Sequence, residues 1–460
     1  MILVIWKSQN NCILCLINTQ EVFIEYDMNE ILNTRLMHPR DQIALVMSRI
    51  YRRGLTTTSG GNISIMDDNG DIWISPSAVD KGMLKPSDIV CVKREGGVEG
   101  CHKPSSEFPF HKAIYEIRPD IKAIIHAHPP ALVSFSIVRA TPDTNIITQA
   151  RRICGPVGYA EYELPGSQAL GAKIAMEFTK GFKAVIMENH GTVVGGSDLT
   201  DTFERFETLE FCARTILYGN AVGSPQYLSD QQIDAFESQV PEPLPEMEEV
   251  AYSSDEREKR LEICNIVHRA CTQGLMISSY GTVSTRWKGN DFLITPTDVP
   301  RWDLKIEDIV QIKDGKREPG KIPSRTTYLH QEIYKKHPEI NSIILTQSPY
   351  LMAFAVTGAA FNVRTIPESW IFLQDVSSLE FGSHFKCETI IPDLVAKHNP
   401  AVIVKNACVM ITGDQLLQTF DYLEVAEFSA KSLVLCASIG NLVPISNEQV
   451  EELRHAFIKE

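Results

Sequence analysis

Long hydrophobic runs are missing from this 460-residue chain. No stretch holds the roughly 18 consecutive apolar residues that a membrane-spanning helix needs, so no membrane partner is expected. An excess of positive charge is missing too: 44 Lys and Arg stand against 58 Asp and Glu, a formal net charge of −14. Nucleic-acid backbones are bound by cationic surface, so nucleic acid is not an expected partner either. Regular cysteine spacing is absent. The eleven cysteines are an odd, scattered set and read as reduced thiols of a cytoplasmic protein. The one C-x-x-C, Cys12 and Cys15, has no second pair and reads as two buried thiols rather than a metal knuckle. A cleavable leader is not expected, because Met1 to Leu16 is broken by Lys7, Gln9, Asn10 and Asn11 and has no small-residue cleavage site. What remains is ordinary globular composition, 43% hydrophobic and 22% charged, in a chain long enough for two or three domains.

Three histidines carry the strongest chemical signal. His126 and His128 are two apart in Ile-Ile-His-Ala-His-Pro, residues 124–129, a segment rich in β-branched side chains. On a strand, residues i and i+2 share a face, so both imidazoles can aim at one ion. His190, in Glu-Asn-His-Gly at 188–191, follows another strand-like run, 184–187. Three histidines with a fourth position open describe a catalytic divalent-metal site. Zinc is preferred, with Mn2+, Fe2+ or Co2+ open because occupancy depends on supply as well as ligands. Glu107, in Lys-Pro-Ser-Ser-Glu at 103–107, is the natural acid or base beside that ion. Ser105 and Ser106 read either as caps of a helix over 107–117 or as anion ligands at its N-terminus. Asn62 and Ser77 lie in glycine-rich and proline-bounded loops that let a ligand approach the backbone. His111 reads as a residue that packs or caps a helix.

Around these residues the periodicity predicts a helix over 39–51, a hairpin of 63–65 with 72–74, and a strand over 88–92. Helices follow at about 131–138 and 168–178, and a long amphipathic helix over 198–217 closes the unit. The second half then repeats the first. Pro104-Ser-Ser-Glu…His111…Ile114-Tyr115 matches Pro323-Ser-Arg-Thr…His330…Ile333-Tyr334, and Ile74-Ser-Pro-Ser77 matches Ile294-Thr-Pro-Thr297. Framework residues persist, but the chemistry does not. His126 becomes Leu345, His128 becomes Gln347, His190 becomes Ala407, Glu107 becomes Thr326 and Asn62 becomes Thr282. The scaffold therefore does not require them, and only the first half uses them. The chain divides into an extension over 1–37, with Met28 or Met37 as the expected natural start, a first domain over 38–222, a proline-rich acidic linker over 223–254, a second domain over 255–445 and a tail over 446–460.

Ser-Gly-Gly-Asn, Ser-Pro-Ser, Pro-Ser-Ser-Glu, His-Ala-His-Pro and Asn-His-Gly, in this order, resemble the class II aldolase/adducin family, and its L-fuculose-phosphate aldolase branch by motif. The resemblance covers about 38–220 and, as a degenerate copy, about 255–440. It implies an α/β fold, two tandem α/β/α domains each with a central, mostly antiparallel sheet flanked by helices. It implies zinc on His126, His128 and His190, Glu107 as the catalytic acid/base, and phosphate at Asn62, Ser77, Ser105 and Ser106. The implied reaction is retro-aldol cleavage of a ketose phosphate, such as L-fuculose 1-phosphate, to dihydroxyacetone phosphate and an aldehyde. Related dehydratases, 4-epimerases and decarboxylases are the alternative chemistry, and the related epimerases usually carry Asp where Glu107 stands. An adducin-like interaction role without catalysis is the alternative outside enzymology. Two departures stand out. Ala78 occupies a place where the family often has glycine. The tyrosine that family aldolases borrow from a neighbouring subunit is missing around Thr148-Gln149, leaving Tyr159, Tyr162 and Trp370 as the nearest aromatics. Because the family forms four-fold rings, the resemblance also implies a homodimer forming a pseudo-four-fold ring, with the second domain walling the first domain's site.

Overall fold

The computed structural model describes residues 34–248, 250, 252–385 and 389–458, and the backbone of 7–8 and 11–12. The Cys12 side chain, Cys15 and Met28 lie outside the described residues. Pro39 opens helix α1 (Pro39–Arg52), where its fixed φ suits the first turn and its missing N–H has no partner to lose. Ile43, Val46, Met47 and Ile50 form the buried stripe of α1. Strands β1 (Asn62–Met66) and β2 (Ile72–Ile74) form the expected hairpin, extended by β3 (Val90–Val92) and β4 (Val98–Glu99). Helix α2 (Phe108–Ile117) leads to β5 (Ala123–Ala127) and α3 (Pro130–Ile137). Then come α4 (Thr148–Cys154), β6 (Gly158–Ala160), α5 (Gln168–Thr179), β7 (Ala184–Met187), β8 (Gly191–Gly196) and α6 (Leu199–Val222). The strands form one sheet in the order β4-β3-β2-β1-β5-β8-β7-β6, antiparallel throughout except where β6 meets β7.

Strand alternation assigns the two faces. Ala123, Ile125 and Ala127 of β5 join the core beneath α1 and α6, whereas Ile124 joins the core beneath α2 and α5. His126 shares the parity of Ile124 and meets Phe110 of α2 edge-on, with ring centroids 5.6 Å apart. The sheet is thus sandwiched between two helical layers, and the histidines leave it on the α2 side.

The segment 223–254 holds more structure than its proline and acid content suggests. Helix α7 (Asp230–Ser238) begins at a capping box of Ser229 and Gln232, and Ile233 and Phe236 are buried. Phe236 packs near Phe381 and Phe385, with centroids 5.3 and 4.9 Å away. Two apolar residues on a nine-residue helix are too few to register as a period.

The second half repeats the plan. Helix α8 (Ser254–Gln273) precedes β9 (Thr282–Lys288), β10 (Asp291–Ile294), β11 (Val310–Lys313) and β12 (Lys316–Arg317). Then come α9 (Thr327–Lys336), β13 (Ser342–Thr346), α10 (Pro349–Thr357), α11 (Pro367–Leu373), β14 (Val376–Leu379), β15 (Ala401–Val404), β16 (Cys408–Gly413) and α12 (Leu416–Cys436). Its sheet order, β12-β11-β10-β9-β13-β16-β15-β14, reproduces the first, including the single parallel pair, β14 with β15. Among the described residues no helix is long and apolar enough to cross a membrane.

The domains meet along α6. That helix is not amphipathic as expected: every residue from Arg205 to Ala213 is buried. The second domain covers the face that water would meet in an isolated unit. Phe211, Cys212 and Ile216 share one core with Leu351 and Phe354 of α10 and Phe420 of α12. Tyr218 stacks on Tyr350 with centroids 4.2 Å apart and planes at 8°. At the centre, Glu207 pairs with the buried Arg53, accepts from Trp302 Nε1 at 2.9 Å and accepts from Ser278 N at 3.2 Å. Removing one partner of a buried ion pair strands the other charge. Glu207→Ala is therefore expected to lower the unfolding free energy by about 3–5 kcal/mol. Urea denaturation checks this, and a loss below about 1 kcal/mol, the scale of an exposed pair, would contradict the role assigned to Glu207.

Candidate metal centre

β5 lies between β1 and β8, opposite Asn62 on one side and Val193 on the other at the level of His126. His126 is fully buried, and its Nδ1 lies 2.9 Å from the Thr192 carbonyl oxygen. A carbonyl only accepts, so Nδ1 carries the proton and Nε2 presents its lone pair. His128 follows one residue past the end of β5, with its Nε2 3.1 Å from His126 Nε2. His190 is placed by the turn from β7 to β8. There Asn189 takes the left-handed conformation at φ 52° and His190 N donates to Met187 O at 3.1 Å. One nitrogen from each ring falls within 4.8 Å of the others. Ligands at zinc distance on a tetrahedral ion sit roughly 3.3 Å apart, so the three rings fit a divalent ion with little adjustment. Burial pushes His128 and His190 down to about 4, and the neighbouring His126 pushes in the same direction. Both are neutral near pH 7, the form that binds metal.

Glu107 faces the same point. Its Oε2 lies 3.1 Å from His126 Nε2, and its Oε1, which has no hydrogen bond, lies 3.4 Å from His190 Nε2. Burial raises its carboxyl pKa, but the facing His126 ring, with His190 and the Asn62 amide, outweighs that and holds it well below the usual carboxylate range. A dication at the same point acts in the same sense. Glu107, not a serine, occupies the cap position of α2. Ser105 instead closes the turn before it, accepting from Glu107 N at 3.3 Å, while Ser105 O accepts from Phe108 N. The helix start thereby aims the glutamate inward.

A buried relay holds Glu107 in that pose. Asn62 Nδ2 donates to Glu107 Oε2 at 2.8 Å, and Asn62 Oδ1 accepts from His111 Nε2. His111 Nδ1 then accepts from Ser64 Oγ at 2.7 Å, and Ser64 Oγ accepts from Tyr115 OH at 2.7 Å. Each group uses the donor and acceptor it has. Burial, with His126 adding to it, pushes His111 down to about 3, so its neutral form matches the relay. His111 therefore does more than pack a helix: it orients Asn62, which orients the carboxylate. Its presence in both halves marks it as framework, and only the Asn62 contact reveals its link to the site.

The remaining expected residues lie on two neighbouring loops. A bridge between Pro76 and Pro104 sets the Ser77 loop beside Ser105 and Ser106, and Ser77 N donates to Lys103 O at 3.0 Å. Ala78 takes φ 55°, a backbone shape that favours glycine. Lys81, unremarked in the sequence, is buried behind this loop and donates to Pro76 O at 2.5 Å; burial pushes it down to about 8. Of the aromatic candidates, Tyr159 lies on β6 opposite Ile186, Tyr162 is exposed with its N donating to Glu188 Oε2 at 3.1 Å, and Trp370 is buried in the second domain with Arg454 over its ring at 5.4 Å.

The family model described as Class II Aldolase and Adducin N-terminal domain matches residues 41–217 and again 261–434, together well over half of the chain. The chain belongs to the class II aldolase and adducin family. It is similar to 5-deoxy-D-ribulose 1-phosphate aldolase of Bacillus thuringiensis, 33% identical over 202 residues, 43% of this chain and 93% of the relative. It is similar to 3-oxo-tetronate 4-phosphate decarboxylase of Haemophilus influenzae, 31% identical over 195 residues, 41% of this chain and 90% of the relative. It is also similar to L-fuculose phosphate aldolase of Methanocaldococcus jannaschii, 33% identical over 181 residues, 39% of this chain and 95% of the relative. These relatives are about one domain long, and this family member carries two.

Gly60 makes room for the centre. A Cβ at Gly60 would lie 2.9 Å from Thr57 Oγ1 and 3.0 Å from His128 Nδ1. Gly60→Ala should push His128 off its position and lower divalent-metal affinity by about 10–100-fold, the usual effect of disturbing a ligand's support. Competition titration with a chromophoric chelator checks this, and wild-type affinity in the variant would refute the convergence described.

Proposed function

We propose that the first domain is a metal-dependent aldehyde-lyase cleaving a ketose 1-phosphate, of the L-fuculose 1-phosphate type, to dihydroxyacetone phosphate and an aldehyde. The observation that carries this reading is the carboxylate of Glu107, held by its own relay beside three converging imidazoles. His126, His128 and His190 would hold the ion, zinc by preference and Mn2+, Fe2+ or Co2+ by supply. When bound, such an ion polarises a substrate carbonyl and steadies negative charge that develops on its oxygen. As the C3–C4 bond breaks, the C4 hydroxyl gives up its proton to leave as the aldehyde, and Glu107, ionised at rest, takes up a proton and passes it to the freed C3, with Asn62 and His111 keeping that carboxylate in line. Ser77, Ser105 and Ser106, with the second Nδ2–H of Asn62, supply donors for the substrate phosphate near the N-terminus of α2.

Decarboxylation of a 3-oxo sugar-acid phosphate is the second reading, supported by the similarity to the Haemophilus decarboxylase. There too a carbon–carbon bond breaks: carbon dioxide leaves, and Glu107 passes a proton taken from water to the freed carbon. Zinc-loaded protein is expected to release dihydroxyacetone phosphate from L-fuculose 1-phosphate or a related ketose 1-phosphate. Glu107→Gln should lower kcat/KM by about 10²–10⁴-fold, and His128→Ala should abolish turnover together with metal binding. Carbon dioxide from 3-oxo-tetronate 4-phosphate, without dihydroxyacetone phosphate from any ketose 1-phosphate, would move the activity to the second reading. Full activity in Glu107→Gln would reject both.

The proposed assembly is a homodimer. Thr148 and Gln149 of α4 are buried against the second domain's counterpart site. The matching start of α11, Ile366-Pro367-Glu368, is exposed. By the repeat, this edge is suited to close the first domain's site of another copy, forming a pseudo-four-fold ring. Light scattering should give twice the chain mass of 51.5 kDa; a stable monomer at micromolar concentration would remove this part of the proposal.

A further inference from the structure

We propose that the second domain retains a binding site, free of metal, for a small phosphate ester, closed by helix α4 of the first domain. The repeat divides this site into two halves with different fates. Where the ion would sit, the space is filled. Tyr280 stands in the place of Gly60, with its OH 3.5 Å from Ala407 O, and Gln347 Nε2 donates to the same carbonyl at 2.7 Å. Leu345 replaces the central histidine and is buried.

Where the substrate would sit, the space is open. A cavity of about 70 Å³ is lined by Thr282, Thr297, Ser324 and Thr326, the counterparts of Asn62, Ser77, Ser105 and Glu107. One water needs about 10–15 Å³ on this measure, so the cavity has room for a phosphate-sized group. Three of its hydroxyls form a cluster: Thr282 and Ser324 are 2.6 Å apart, and Ser324 and Thr326 are 3.1 Å apart. Ser324, Arg325 and Thr326 lie at the start of the ten-residue helix α9, whose dipole favours an anion there.

Unmatched polar atoms mark the cavity as a site rather than a gap. Gln149 of α4 is 2% exposed and lines the cavity, yet neither its amide oxygen nor its amide nitrogen has a partner. Arg325 Nε is also buried and unpartnered. Below Thr282, His330 repeats the relay to Ser284 and Tyr334, but its Nε2 has no partner because the asparagine is gone. Buried polar groups are normally matched, so the Gln149 and Arg325 atoms, which belong to lining residues, point to a polar occupant. Three cations, Arg152, Arg301 and Arg325, stand against two carboxylates, Glu237 and Asp298, in the lining, a single net positive charge. Asp298 lies 3.9 Å from Arg152, and Arg325 Nη2 donates to the carbonyls of Phe236 and Gln239. Arg301 is committed to the carbonyls of Gly281 and Pro296.

Equilibrium dialysis with labelled inorganic phosphate and dihydroxyacetone phosphate tests this on the full chain, in a His128→Ala background that separates it from turnover in the first domain. Saturable binding is expected to persist in Ser77→Trp, to vanish in Thr297→Trp, which fills the second cavity, and to weaken at least tenfold in Arg152→Gln. Arg152 is partly exposed, so that variant stays informative if the tryptophan variant does not fold. Absence of saturable binding, binding lost only in Ser77→Trp, or wild-type binding in folded Arg152→Gln would each overturn the proposal.

Discussion

The bond from His126 Nδ1–H to the Thr192 carbonyl is the constraint on which the rest of the site depends. It fixes one ring in a fully buried position between β1 and β8, and it decides which nitrogen faces the open side. His128 is then placed one residue past the end of β5, and His190 by the tight turn that starts β8. Glu107 and its relay occupy the space these three rings leave. None of this requires the loops to be ordered by substrate, because every polar partner in the relay belongs to the sandwich of sheet and helices. A centre built on such rigid elements is preorganised, the condition under which charge stabilisation is effective.

The second domain shows which parts belong to the fold and which to the chemistry. Ser64, His111 and Tyr115 recur as Ser284, His330 and Tyr334 with the same 2.7 Å spacings. That triad links β1 to α2 and β9 to α9, so it is structural in both halves. The terminal contact differs. In the first half it reaches Asn62 and then Glu107; in the second it ends on an unpaired nitrogen. One buried network thus serves packing in both domains and orientation in only one.

The interface explains how a degenerate copy can remain. Helix α6 is buried on all sides over 205–213, and its Glu207 joins Arg53 of the first domain to Trp302 and Ser278 of the second. Losing the second domain would expose apolar surface and a buried carboxylate. The second domain is therefore held by packing, whatever its pocket binds, and the cavity it shares with α4 exists only while the two domains are docked.

Local sequence determined the strands and most helices, because period-2 and period-3.6 burial are properties of neighbouring residues. It determined the nearness of His126 and His128, since a spacing of two at the end of one strand needs no distant partner. It also determined the tandem repeat and the loss of the three histidines in the second copy. Tertiary structure alone decided the rest. That the middle of α6 is buried all round depends on the surface of the second domain, far along the chain. That Glu107 rather than a serine sits at the start of α2 depends on the turn that Ser105 closes. That His111 orients Asn62, and that Gln149 closes a cavity in the other domain, depends on which side chains meet across separate elements. Sequence spacing encodes contacts along one element, but contacts between elements appear only once the sheet and its two helical layers have brought them together.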